Sequence, residues 1–130
     1  MIKKATIGIL FFMVLNVFSF ISPVYASEIQ NPNAVYEIYG TTNIYNVLKL
    51  DTRNGIITQI QIGMNKSSSQ MEVYINDKSL VSIEEQQNGR FALYPTGNMY
   101  NFVLLDRISG KTWQVQWHTK PDLRYITRIL

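Results

Sequence analysis

The sequence contains one stretch twice, and this duplication constrains the fold more than any other feature. Residues 36–63 align without a gap to residues 91–118 at an offset of 55, with ten identical pairs in 28 positions. In the first copy the identical residues are Tyr39, Thr41, Asn43, Tyr45, Asn46, Leu50, Asp51, Gly55, Gln59 and Gln61. Self-similarity at a fixed offset indicates two units with the same local structure.

Each copy is predicted to form a three-strand antiparallel meander. The expected strands are Val35–Tyr39, Ile44–Leu50 and Ile56–Gly63 in the first copy, and Arg90–Tyr94, Met99–Leu105 and Lys111–Trp117 in the second. Asp51 and Asp106 begin the second turn of each copy, where a carboxylate accepts hydrogen bonds from nearby backbone N–H groups. Gly55 and Gly110 follow in the same turns, because glycine accepts the positive φ of a tight hairpin.

Further strands are expected outside the two copies. Met71–Ile75 and Ser79–Ile83 flank a turn and predict another hairpin, and Leu123–Leu130 predicts a last strand. The alternating pattern leaves open whether that last strand lies at a sheet edge or is buried in the centre. The expected fold class is all-β: eight to nine short antiparallel strands from a duplicated three-strand meander, packed as a sandwich or a partly open barrel.

Period-2 alternation assigns the side chains to the two faces of each sheet. The residues expected on the core face are Ile56, Thr58, Ile60 and Ile62 in the first copy and Lys111, Trp113, Val115 and Trp117 in the second. The glutamines between them, Gln59, Gln61, Gln114 and Gln116, are expected to point to solvent. Phe102–Leu105 is apolar at every position, which predicts a strand covered on both sides.

Residues 1–26 are predicted to be a signal peptide. Lys3 and Lys4 precede an apolar run, and small residues occupy the −3 and −1 positions of a cleavage site after Ala26. An uncleaved membrane anchor is the alternative, because the apolar run is nearly long enough to span a bilayer. Cleavage would leave 27–130 as a single β domain in the periplasm or outside the cell, with no stable membrane anchor.

The composition excludes several classes of site. The chain has no cysteine, which rules out disulfides, thiolate zinc sites and a cysteine nucleophile. Without the two leader lysines the net charge is +1, and no basic run remains, so no nucleic-acid partner is expected. His118 is the single histidine, and no metal-ligand or triad motif surrounds it. We therefore expect no metal, no other cofactor and no enzymatic activity.

Six polar or aromatic residues form the candidate binding site. They are Tyr39 and Asn43 of the first copy and Tyr94, Asn98, Gln114 and Gln116 of the second. The repeated Thr-x-Asn loops either close on their own backbone or present amides and flanking tyrosine rings to a sugar or peptide. The glutamines form either a solvated sheet face or an uncharged surface, which can bind a partner without the cost of desolvating charge.

The second copy carries a distinctive string, YPTGNMYNFVLLD over 94–106, followed by Gly110 and by WQVQ over 113–116. This string resembles a group of small bacterial proteins, and the resemblance implies no activity. The recurrence of Asp, Gly and Trp is also similar to the blades of quinoprotein-type β-propellers. However, Thr58 replaces the tryptophan in the first copy, and two units cannot close a ring of at least four blades.

These features favour an exported, non-enzymatic binding protein that recognises another protein, as inhibitors and immunity proteins do. The alternative is a small glycan- or ligand-binding β domain that uses the two Thr-x-Asn loops. A third hypothesis makes Asp51 and Asp106 the acid and base of a glycoside hydrolase, against the simpler interpretation that both cap turns. The small core also allows the chain to form a homodimer.

Overall fold

The computed structural model describes residues 31–130, so the predicted signal peptide over 1–26 lies outside the described residues. The strands are β1 (Tyr36–Gly40), β2 (Asn46–Asp51), β3 (Ile57–Gln61), β4 (Met71–Asn76), β5 (Phe91–Pro95), β6 (Asn101–Asp106), β7 (Thr112–Gln116) and β8 (Tyr125–Ile129). They form two four-stranded antiparallel sheets, sheet 1 (β1-β2-β3-β4) and sheet 2 (β5-β6-β7-β8). The expected all-β class is confirmed.

In the part of the chain that the structure describes, helical structure is limited to two short 3-10 helices, Ile83–Glu85 and Pro121–Leu123, which precede β5 and β8. Among residues 31–130 no helix is long and apolar enough to cross a membrane.

Both sheets are meanders with the same strand order, and their first three strands pair in the same register, in agreement with the internal repeat. Leu48 pairs with Gln59 between β2 and β3, and the residues 55 positions later, Val103 and Gln114, pair between β6 and β7. The repeated unit has four strands rather than the predicted three, because β4 and β8 each extend a sheet. The last strand, whose position the sequence left open, lies at an edge of sheet 2.

The hairpin predicted after the first copy has only one of its two strands, so the prediction of the second strand is wrong. β4 is present, but Ser79–Ile83 contains no strand residue. Asn76 ends β4 because its side-chain amide donates to Gly55 O at 2.8 Å, which holds the chain against sheet 1. Leu80 N then donates to Asn54 O at 2.8 Å, so this segment bonds to a turn instead of pairing with β4.

Each sheet has two faces, which the repeat makes directly comparable. We name face A the side that carries Gln59 in sheet 1 and Gln114 in sheet 2, and face B the side that carries Thr58 and Trp113. The hydrophobic core lies between face A of sheet 1 and face B of sheet 2. Its buried side chains are Leu48, Leu50 and Ile57 from sheet 1 and Phe91, Leu93, Phe102, Leu104, Trp113, Val115 and Trp117 from sheet 2 and its end.

The two copies are thus stacked head to tail, with unlike faces in contact. Equivalent residues consequently have different environments: Gln59 is 1% exposed, whereas Gln114 is only half-buried on the outer face of sheet 2. Trp117 is fully buried, whereas its counterpart Ile62 is 47% exposed. The prediction that Gln59 points to solvent is wrong for this reason, since alternation along one strand does not show which of its faces another sheet will cover.

Thr52 links the N-terminal segment to both sheets. Its hydroxyl donates to Ala34 O at 2.6 Å and accepts from Gly89 N at 3.0 Å. Its carbonyl accepts from Phe91 N at 2.8 Å, at the start of sheet 2. Gly89 has a φ of +77°, and a Cβ at this position would lie 2.4 Å from Pro32 O. The joint between the sheets therefore requires glycine at this point.

Candidate functional site

The two Thr-x-Asn loops close on their own backbone in the same way. Thr41 Oγ1 donates to Asn46 O at 2.7 Å and accepts from Asn43 N at 3.1 Å. Asn43 Oδ1 accepts from Tyr45 N at 2.9 Å. The second loop repeats these bonds through Thr96, Asn98, Tyr100 and Asn101. The hydroxyls and amide oxygens therefore shape the loops, while the two Asn Nδ2 groups donate to no residue that the structure describes.

Tyr39 is turned toward the core, unlike the equivalent tyrosine of the second copy. It lies on face A of sheet 1 and packs against the hydrophobic core, and its hydroxyl donates to Glu37 Oε2 at 2.7 Å. Burial raises the pKa of Tyr39, and the hydrogen bond to Glu37 raises it further. Its counterpart Tyr94 lies on face A of sheet 2, where the side chain is exposed.

Three of the six candidate residues lie on one surface. Tyr94 and Gln114 share a cross-strand row of sheet 2, and Gln116 lies two residues further along β7 on the same face. Gln114 Nε2 donates to Asn101 Oδ1 at 2.6 Å and to Tyr125 Oη at 2.9 Å. Gln116 Nε2 donates to Leu123 O, in the 3-10 helix before β8, at 2.9 Å. These bonds fix both amides on the sheet surface.

Face A of sheet 2 carries no charged side chain at any of its strand positions. The register assigns to it Ala92, Tyr94, Asn101, Val103, Leu105, Thr112, Gln114, Gln116, Tyr125, Thr127 and Ile129. Tyr94, Tyr125 and Ile129 are exposed, and Val103 and Leu105 are half-buried. Phe102 and Leu104 are therefore fully buried on face B, whereas Val103 and Leu105 are only half-buried on face A, so the predicted cover on face A is partial. An uncharged sheet face that exposes aromatic and aliphatic side chains is typical of interaction sites.

Face B of sheet 1 is a second apolar surface, which the sequence analysis did not identify. Its exposed large apolar side chains are Tyr36, Ile38, Ile62 and Tyr74. Lys49 and Glu72 form an ion pair there, and Glu72 Oε1 also accepts from Thr58 Oγ1 at 2.7 Å. The hydrogen bond between the two charged groups raises the pKa of Lys49 and lowers the pKa of Glu72. Asp51 occupies another strand position of this face and is paired with Arg53, so each charged strand residue on face B has a partner of opposite charge.

Asp106 is held within its own turn. Arg90 forms a bidentate ion pair with it, in which Nε and Nη2 each donate at 2.9 Å. Ile108 N and the Ser109 hydroxyl donate to the same carboxylate at 2.9 and 2.6 Å. Burial opposes ionisation of Asp106, but the hydrogen bonds from Arg90 and Ser109 and from the turn backbone outweigh it and lower its pKa.

Asp51 and His118 are also engaged locally. Arg53 Nη2 donates to Asp51 Oδ2 at 2.8 Å. The His118 ring stacks on Tyr100 with centroids 4.6 Å apart, and its Nδ1 accepts from Lys120 N at 3.0 Å. Within residues 31–130, no group of three or more His, Cys, Asp or Glu side chains is arranged to hold a metal ion.

A cleft of about 520 Å³ opens beside sheet 2. Its lining includes Leu80, Val81, Arg90, Asp106, Trp113 and Arg128. Arg90 is paired with Asp106, and the Arg128 guanidinium lies 5.3 Å from the centroid of the Trp113 ring. Both arginines of this cleft are therefore already engaged within the fold.

Comparison with known proteins adds no relative: no family model, no curated protein and no solved structure matches this chain.

Proposed function

We propose that the protein is an exported, non-enzymatic binding protein that recognises another protein through face A of sheet 2, in the manner of inhibitors and immunity proteins. The observation that carries this proposal is the absence of charge from all strand positions of that face. Charged residues are depleted in the cores of protein interfaces, where tyrosine is enriched. Tyr94 and Tyr125 supply such rings, and Gln114 and Gln116 supply amides that bond without a buried charge.

The local chemistry of the carboxylates supports a role without catalysis. A glycoside hydrolase requires a general acid whose pKa is raised, so that it is protonated at neutral pH. The pKa of Asp106 is lowered instead, and its oxygens accept bonds from Arg90 and the turn. Asp51 is paired with Arg53 in the equivalent turn. Turn capping accounts for both residues.

A glycan-binding domain is the second candidate, and one observation favours it. Asn98 and Tyr94 are exposed close together in sequence, and the Asn98 Nδ2 group is not bonded to any residue from 31 to 130. An exposed ring next to a free amide can hold a sugar by stacking and hydrogen bonding. Titration with sugars would then move the NMR signals of residues 39–45 and 94–100, because those segments carry both loops.

Site-specific photo-crosslinking in an exporting bacterial host tests the preferred function. A benzophenone amino acid replaces Tyr94 on face A, and in a parallel strain it replaces Ile108, which is 58% exposed in the turn between β6 and β7. We expect a protein adduct at position 94, identified by mass spectrometry, and no such adduct at position 108.

Both positions are exposed, but only position 94 lies on face A. Position 108 therefore controls for the abundance of the captured protein and for labelling by random collision. Equal labelling at both positions, or labelling at neither, would contradict protein recognition through this face. Sugar-dependent shifts without any adduct would favour the glycan-binding alternative.

A further inference from the structure

We infer that the partner on face A of sheet 2 is a second copy of this chain, which docks there with face B of its sheet 1. The inference rests on the proposed function in one respect: it keeps face A of sheet 2 as the protein-binding surface, and it names a second copy of this chain, in place of a different protein, as the occupant. In this arrangement the contact between two molecules has the same form as the contact between the two sheets of one molecule: face A of one sheet packs on face B of another.

The interface inside the molecule provides the template. Face A of sheet 1 packs on face B of sheet 2, and this contact buries the whole core. The stack therefore ends in two unused faces: face B of sheet 1 and face A of sheet 2. Over the three repeated strands, each unused face is the counterpart, position by position, of a face that the other sheet buries. A contact that joins unlike faces is heterologous, and a heterologous contact can be repeated by further copies.

The chemistry of the two unused faces fits this contact. Face A of sheet 2 is uncharged and carries exposed Tyr94 and Tyr125. Face B of sheet 1 exposes Tyr36, Ile38 and Tyr74. Its charged strand residues are already paired within the molecule, Lys49 with Glu72 and Asp51 with Arg53. Docking of these two surfaces would bury aromatic and aliphatic area on both sides without leaving an unpaired charge, which is the costly element in an interface.

One of the hydrogen bonds that join the two sheets inside the molecule has an equivalent acceptor and an equivalent donor in the repeat, and these two groups do not bond to each other within one molecule. Gln59 Nε2 donates to Asn46 Oδ1 at 3.0 Å, and Gln59 Oε1 accepts from His118 N of the other half at 3.2 Å. Gln114 reproduces the first bond with Asn101 at 2.6 Å, but its Oε1 accepts from no residue between 31 and 130.

The repeat also contains a backbone N–H equivalent to that of His118. Gly63 occupies the position of His118 in the first copy, and its N–H donates to no residue of the described segment. In a head-to-tail contact between molecules, Gly63 N of one copy would meet Gln114 Oε1 of the next. The acceptor and its donor thus lie on the two different faces that the inference joins.

The sequence of strand β6 also indicates that both of its faces are covered in the assembled protein. Val103 and Leu105 face away from the core, yet both are large and aliphatic. Strands that are buried on both faces have such continuous apolar runs, whereas half-exposed strands alternate with polar residues. The sequence of this central strand is therefore suited to the assembled state. In that state two copies close a ring of four sheets if the rotation per sheet allows it, and otherwise the stack extends.

Complementation between two variants tests the inference. Ile38→Glu places a charge on face B of sheet 1, and Tyr94→Glu places one on face A of sheet 2. Sedimentation equilibrium is measured on the chain as its bacterial host processes it, with the N-terminus recorded by mass spectrometry. We expect the unmodified chain to self-associate and each variant alone to show a dissociation constant raised at least tenfold. We expect the mixture of the two variants to form a 1:1 complex, because each variant retains the face that the other lacks.

Ile108→Glu is the matched control, since Ile108 is 58% exposed and Ile38 is 64% exposed, and it should leave the association unchanged. A monomeric unmodified chain at several hundred micromolar would overturn the inference. So would an assembly that only one of the two face variants abolishes, because this result indicates like faces in contact.

NMR of the unmodified chain provides a second measurement that does not depend on the folding of a variant. On dilution, the amide signals of Gly63 and of residues on the two unused faces should shift together, and the signal of Ile108 should not. Shifts confined to one face, or none across the accessible concentrations, would contradict the head-to-tail contact. If copies fail to associate while the position-94 crosslink still captures a different protein, the proposed function stands and only this inference fails.

Discussion

The two repeated aspartates start equivalent turns but have arginine partners in different surroundings. Arg90, which pairs with Asp106, has a side chain that is 9% exposed, whereas Arg53, which pairs with Asp51, is 37% exposed. Removal of one member of a buried pair leaves an uncompensated charge, while an exposed guanidinium is stabilised by water. Equivalent turns of the two copies thus contain a strong ion pair, Arg90–Asp106, and a weak one, Arg53–Asp51.

We expect Asp106→Asn to lower the free energy of unfolding by about 3 kcal/mol, because the buried Arg90 guanidinium loses its counter-charge. Asp51→Asn, the matched control, should cost about 1 kcal/mol, because its partner is more exposed. Urea denaturation of both variants measures the difference. Equal losses would contradict the assignment of Arg90–Asp106 as the stronger pair.

The lowered pKa of Asp106 gives its contribution a defined pH dependence. A carboxyl whose folded pKa lies below its unfolded value stabilises the fold above the unfolded pKa of about 3.9, and this stability is lost as the pH falls through the folded pKa. The destabilisation caused by Asp106→Asn should therefore be complete near neutral pH and shrink below about pH 4. Denaturation of both chains across this range is the measurement, and a pH-independent difference would contradict the mechanism.

The two turn glycines allow a matched test of backbone strain and packing. Gly55 and Gly110 have φ values of +80° and +76°, so alanine is strained at both positions. A Cβ at Gly55 would lie 2.7 Å from Leu80 Cδ1, whereas a Cβ at Gly110 meets nothing within 4 Å. We expect Gly110→Ala to cost about 1–2 kcal/mol and Gly55→Ala to cost more, as measured by thermal unfolding. Equal costs would show that Leu80 yields without penalty.

At the scale of elements, the end of β7 shows how stacking differentiates two equivalent strands. Trp117 packs on the Tyr100 ring with centroids 5.1 Å apart, and its Nε1 donates to Met99 O at 2.9 Å. Ile62 occupies the same position after β3 and lies on the unused face B of sheet 1. One position of the repeat is therefore a core residue in one copy and a surface residue in the other.

We expect Trp117→Ala to destabilise the fold by about 3–5 kcal/mol, the usual range for a large buried aromatic residue. Ile62→Ala should cost less than about 1 kcal/mol in the monomer, because its side chain is exposed. Chemical denaturation at low protein concentration compares the two. A large effect of Ile62→Ala under these conditions would contradict the exposure of face B.

The strands themselves could be predicted from the sequence, because the signals for them are local. Alternation and the Asp and Gly turn residues located six of the eight strands within the repeat. The direction in which Gln59 points could not be predicted, because Gln59 and Gln114 have similar neighbours in sequence and differ only in what another sheet covers. For the same reason Tyr39 and Tyr94 were both candidate binding residues, although only Tyr94 is on an outer face. Ser79–Ile83 has a strand-like pattern, but tertiary bonds to a turn replace its pairing with β4.

At the scale of the whole molecule, the proposed self-association makes thermal stability depend on concentration. A ligand that binds only the folded state stabilises it in proportion to the logarithm of its concentration, and here the ligand is the chain itself. We expect the Tm to rise by about 5 °C or more when the protein concentration is raised 100-fold across the dissociation constant. Differential scanning calorimetry of the unmodified chain and of Tyr94→Glu compares the two, and the variant should show no such rise.

The convergence of three chain segments on Thr52 has a mechanical consequence. Thr52 follows β2, and its side chain and backbone bond both to Ala34 and Val35 and to Gly89 and Phe91 at the entry to β5. Force applied at Asn31 would therefore act on the bonds that join the two sheets before it acts on the hydrogen bonds between strands of either sheet. In a pulling experiment anchored at that residue, the first rupture should separate the halves while each meander remains intact.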